Sequence, residues 1–207
     1  MRRAAEGPTL TGAARDAFVR QLIADRVPDL RLVIDALLST KGLAETVDGS
    51  RVGLVGYSFG GWAVLATPEA DDRISAIVAM VPAGNSRPLP GIIPATLTFE
   101  WTREVATLFL AAERDKFTPP AGVRELLERA PSPKRMFVLR GAGHQHFADV
   151  IDDPEGCAPE NAHRFATTLA LAHLDSSLKA NAAAAAFLRD DPLATLRARG
   201  VDATEAT

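Results

Sequence analysis

The chain has 207 residues, 47% of them apolar, a formal net charge of −3 and one cysteine. That length and apolar share suit one domain with a buried core, and the slight acidity excludes a basic patch for nucleic acid or an anionic membrane surface. A lone Cys157 excludes an internal disulfide, and no apolar stretch follows Met1-Arg2-Arg3, so neither a secretory signal nor a membrane span opens the chain and the expected address is the cytoplasm.

Residues 1–15 read as a polar, small-residue leader. Helical spacing follows in two clusters: Phe18, Val19, Leu22 and Ile23, then Leu30, Val33, Ile34, Leu37 and Leu38. Pro28 sits where the second of two helices would begin, and Lys41-Gly42 closes it. Residues 43–49 are a connector whose Asp48-Gly49 turns into a strand. That strand, with Val52, Leu54 and Val55, runs straight into Gly56-Tyr57-Ser58-Phe59-Gly60, and Trp62, Ala63, Val64 and Leu65 open an apolar helix. A strand–turn–helix of this kind lifts one serine hydroxyl off the end of a buried sheet. Gly56 and Gly60 are expected where the turn leaves no room for side chains.

Residues 74–81 form the next strand. Residues 82–104, with Pro88, Pro90, Pro94, Phe99 and Trp101, read as a short lid-like insertion. A third strand over 107–112 leads into Glu113-Arg114-Asp115-Lys116-Phe117-Thr118-Pro119-Pro120, and a helix spans 119–130. A fourth strand over 135–139 leads into Gly141-Ala142-Gly143-His144. A helix over 160–179 should pack on the sheet through Phe165, Leu169, Leu171 and Leu174; residues 180–207 read as a peripheral helix and a frayed tail. The fold class is therefore α/β: about four strands in a mostly parallel sheet with flanking helices, in one domain over 1–207.

Ser58, Asp115 and His144 each stand just past a strand's C-terminal end, the edge of an open parallel sheet where ligands gather. A serine is a weak nucleophile alone; a histidine takes its proton and an acid fixes the histidine's tautomer. Each has a plainer alternative. Ser58 could be a helix N-cap. Glu113 rivals Asp115, although Pro119-Pro120 favours Asp115. His146 rivals His144 as base, but the Gly-Ala-Gly run favours His144, leaving His146 and Tyr57 as residues that support it. His144 and His146 could also share a metal, yet no carboxylate or cysteine cluster completes a recognisable site. The expectation is no metal and no cofactor.

The stretch from Lys134 to Leu139 and on through Gly143-His144-Gln145-His146-Phe147-Ala148-Asp149 resembles the α/β-hydrolase group that contains dienelactone-hydrolase-like proteins and platelet-activating-factor acetylhydrolases. The resemblance covers about residues 25–175. It implies a catalytic histidine at His144, an acid at Asp115 and a nucleophile at Ser58. Dienelactone hydrolases carry cysteine at the nucleophile, so serine here implies the serine-esterase side of the family. The implied function is cleavage of a small-molecule carboxylic ester through an acyl-enzyme. The alternatives are a prolyl-oligopeptidase-like peptidase, which shares the elbow, and a non-catalytic or partner-dependent fragment. Residues 1–50 offer no apolar strand run, whereas the group carries several strands there. One oxyanion donor is expected from the Phe59 amide and the second lies in a loop this sequence lacks. An elbow strand left with an open edge invites a second copy of the chain.

Overall fold

β1 (Val52–Tyr57), β2 (Ile74–Met80), β3 (Ala106–Ala112) and β4 (Lys134–Leu139) lie parallel in sequential order, and β5 (Ala203–Ala206) adds to β4 antiparallel. The computed structural model describes residues 10–90, 92–131, 133–148 and 156–206. Each strand steps to the same side of the last, and parallel crossovers are right-handed, so every connection from β1 to β4 must cross the same face. That face carries α1 (Gly12–Ser39), α2 (Phe59–Ala66), α3 (Pro120–Arg129) and the 81–105 segment, packed through Trp62, Leu65, Leu97, Val123 and Leu126. The opposite face is left for the chain beyond β4. α4 (Pro159–Lys179), α5 (Ala182–Asp190) and α6 (Pro192–Arg197) cover it through Phe165, Leu169 and Leu196. No helix among the described residues is long and apolar enough to cross a membrane.

Several expectations need correction. The two front helices are one, α1, with Pro28 inside it. A proline removes one helical hydrogen bond, but Ile34 is buried and Ile23, Leu30 and Leu38 pack on the same core from both sides of Pro28, so burial carries the helix through. Phe18, of the first apolar cluster, is 56% exposed. Of the expected leader, residues 1–9 lie outside the described residues and helix begins at Gly12. Leu171 does not pack on the sheet; it is 61% exposed on the flank of α4. The C-terminal segment holds two helices and a strand rather than one helix and a tail. β5 is fixed by its ladder with β4, by Arg135 holding Glu205 through Nε–Oε1 at 2.7 Å and Nη2–Oε2 at 2.9 Å, and by buried Val201 and Ala203.

Residues 82–104 form no helix or strand among the described residues, yet they are anchored: Trp62 Nε1 donates to Thr96 O at 2.8 Å and Glu125 accepts from Ser86 N at 2.9 Å. Asp48 turns the chain into β1 as its spacing predicts, accepting from Ser50 N at 2.9 Å. At the other edge, β1 has no strand on its outer side among the described residues, and Val55 there is 50% exposed.

His173 of α4 is buried, with Nε2 3.1 Å from Ala106 O. Burial holds its pKa below the ordinary 6.5, so the folded chain keeps it neutral while the unfolded chain takes up a proton first. Its contribution to stability is therefore complete above pH 6.5 and is lost as pH falls from there toward the lowered folded value. Thermal scans from about pH 7 to about pH 5 should show Tm falling more steeply for the natural chain than for His173→Gln. Parallel slopes would contradict this assignment.

Candidate active site

The elbow is built by steric necessity. A Cβ on Gly56 would meet Gly60 O at 2.2 Å, and one on Gly61 would meet Pro82 Cα at 2.9 Å, so strand, turn and helix cross at backbone contact. Gly60 is different from the expectation: a Cβ there meets nothing within 4 Å. Ser58 adopts φ 55° and ψ −117°, outside the regions ordinary residues use. Backbone bonds hold it there: Ser58 N donates to Met80 O at 2.9 Å, and Ser58 O accepts from Trp62 N at 3.2 Å and Ala83 N at 3.1 Å. Strain so pinned is characteristic of working sites.

The serine side chain does not cap α2. Its Oγ lies 2.8 Å from His144 Nε2, and His144 Nδ1 lies 2.7 Å from Asp115 Oδ2. Asp115, buried at the end of β3, also accepts at Oδ1 from Phe117 N and Thr118 N, both at 2.8 Å. The structure thus brings Ser58, His144 and Asp115 into one line of hydrogen bonds along the C-terminal edge of β1, β3 and β4. Glu113 faces elsewhere: it pairs with Arg140 and accepts from Gly141 N at 2.9 Å, and that backbone donor and then Arg140 hold its carboxyl below the usual range. It fastens the β4 loop that carries His144.

His146 is buried and closes the same loop. Its Nδ1 accepts from Gly143 N at 3.0 Å, which leaves Nε2 protonated to donate to Cys157 O at 3.0 Å. Both imidazoles therefore have both nitrogens engaged by different partners. Among the described residues no cluster of His, Cys, Asp or Glu could hold a metal ion. Burial pushes the Cys157 thiol up, aided by Glu160. Asp149, part of the histidine motif, lies outside the described residues.

Tyr57 lies with its ring centroid 5.1 Å from His144, and Phe117 lies 5.2 Å away. Burial, then the Asp115 charge, raises the Tyr57 phenol, so it stays neutral. Phe117, 51% exposed, was not foreseen, nor was Thr118. The spacing Asp115-x-x-Thr118 before two prolines, a turn that recruits side chains to backbone, is the signal that could have found Thr118. Phe59 begins α2, whose first-turn N–H groups have no helical acceptors, and its ring stacks on Trp62 at 5.0 Å.

The dienelactone hydrolase family model matches residues 11–190. The platelet-activating factor acetylhydrolase of Canis lupus familiaris is 27% identical over 127 residues, 58% of this chain and 25% of that protein. The chain thus spans about a quarter of that relative's length. The family model covers well over half of the chain, and the chain belongs to the dienelactone hydrolase family.

Proposed function

We propose that this chain is a serine hydrolase of carboxylic esters. The observation that carries the reading is the unbroken series Ser58 Oγ–His144 Nε2 at 2.8 Å and His144 Nδ1–Asp115 Oδ2 at 2.7 Å, built on a strained elbow. Ser58 Oγ bonds to the ester carbonyl carbon as its proton passes to His144 Nε2. The carbonyl oxygen becomes an oxyanion beside the Phe59 N–H, and Asp115 stabilises the imidazolium. The intermediate collapses, the C–O bond to the alcohol breaks, and the alcohol leaves with the proton from His144. Water then repeats the sequence on the acyl-serine, releasing the acid. The name of the canine relative, an acetylhydrolase, supports a short acyl group.

The test is hydrolysis of p-nitrophenyl acetate and its longer-chain homologues by the purified chain. An initial burst of nitrophenol, with acyl-enzyme seen by mass spectrometry, is expected for the short esters. Turnover that survives Ser58→Ala would contradict the reading.

Among the described residues no strand covers the outer edge of β1, which favours a second reading of how the site works: in concert with a second copy paired along that edge. The strand carries no charged residue or proline to discourage pairing. Light scattering should then find a dimer that Val55→Lys dissociates, with activity falling alongside. A fully active monomer would rule it out.

A further inference from the structure

Thr118 is buried, and its hydroxyl sits among three groups: Asp115 Oδ2 at 2.9 Å, Val81 O at 3.0 Å and His144 Nδ1 at 3.3 Å. A hydroxyl has one proton to give. The Asp115 carboxylate can only accept, so His144 Nδ1, 2.7 Å from Oδ2, carries the ring proton and offers Thr118 no lone pair. The choice lies between a neutral carbonyl and a carboxylate. A hydrogen bond to an ionised group is roughly twice as strong as one between neutral groups. Whichever acceptor goes without the proton faces the hydroxyl's lone pairs, and that costs more against the charged Oδ2 at 2.9 Å than against the neutral Val81 O at 3.0 Å. The proton therefore belongs on Oδ2.

That oxygen is the same one that holds His144. We infer that Thr118 is a positioning residue: its hydroxyl draws charge from Asp115 Oδ2 and so moderates the carboxylate's pull on the His144 proton. The inference rests on the hydrolase reading for its consequence but not for its measurement. Among the described residues, the other titratable groups against the ring are Ser58 at the elbow and Tyr57 at the end of β1, and the Tyr57 phenol stays neutral.

Removing the hydroxyl leaves Asp115 more basic, which favours imidazolium. Thr118→Val, which keeps the shape, should raise the His144 titration by about one pH unit, and Thr118→Ser should restore it. NMR of the His144 ring, assigned through His144→Gln, reads this without any substrate. In the pH profile of kcat/KM the acid limb should move up by the same amount. Thr118→Ala removes the same hydroxyl with less bulk and replaces the valine variant if that one does not fold. An unmoved His144 titration in the hydroxyl-free variant would overturn the inference, as would a lowered plateau with an unmoved limb, the signature of a purely structural part. A natural chain that hydrolyses no ester would sink the hydrolase reading alone, because the NMR titration still decides the role of Thr118.

Discussion

Asp115→Asn is expected to lower kcat for ester hydrolysis by about 10⁴-fold while the chain stays folded. The reason lies in how the side chain is held. Phe117 N–H and Thr118 N–H both point at Oδ1, so an asparagine must place its carbonyl oxygen there and turn its NH₂ toward His144. That NH₂ donates to Nδ1, forcing the ring proton onto Nε2, where it faces Ser58 and cannot accept. The substitution removes little volume and no backbone bond, so KM should stay within about threefold. Glu113→Gln is the control. It weakens the bonds from Gly141 and Arg140 but leaves the histidine tautomer alone, and should cost less than about tenfold. Steady-state kinetics on the two variants decide between the carboxylates: a large loss in the glutamate variant and a small one in the aspartate variant would reverse the assignment.

The largest stability effect is expected at Gly56. Its missing Cβ would stand 2.2 Å from Gly60 O and 2.5 Å from Gly60 C, both backbone atoms that cannot rotate away. Relief requires α2 to lift from β1, which separates Trp62, Ala63 and Leu65 from the core they share with Ile77 and Ala79. Gly56→Ala should cost more than about 3 kcal/mol, a large share of the 5–15 kcal/mol that holds a typical domain together. Gly60→Ala should do the opposite. The site is open, the glycine is helical, and reduced freedom of the unfolded chain should stabilise by about 0.4–1 kcal/mol. Urea melts of the two variants check both signs. A tolerated alanine at 56 would mean the elbow is looser than its backbone contacts imply.

Sequence carried the sheet because its four parallel strands are short apolar runs bounded by turn residues, and the elbow because its geometry is written in five consecutive positions. Ser58, Asp115 and His144 could be placed near one another since each follows the end of a parallel strand, and parallel order brings those ends to one edge. What stayed hidden depends on distant partners. β5 is Ala-Thr-Glu-Ala, with no periodicity to declare a strand, and exists through β4 and Arg135. Pro28 reads as a helix start until the core beneath α1 is known. Gly60 reads like Gly56 because nothing local distinguishes a crowded glycine from an open one. Thr118 bonds within its own turn, but its bearing on the site comes from His144, 26 residues on.

The most direct test is labelling of the folded chain with a fluorophosphonate, read by intact mass and peptide mapping. One equivalent of adduct on the peptide bearing Ser58, absent from Ser58→Ala and from heat-denatured chain, is the result expected of a serine activated by His144. A folded chain that takes up no label, or takes it up on another serine, would contradict the account.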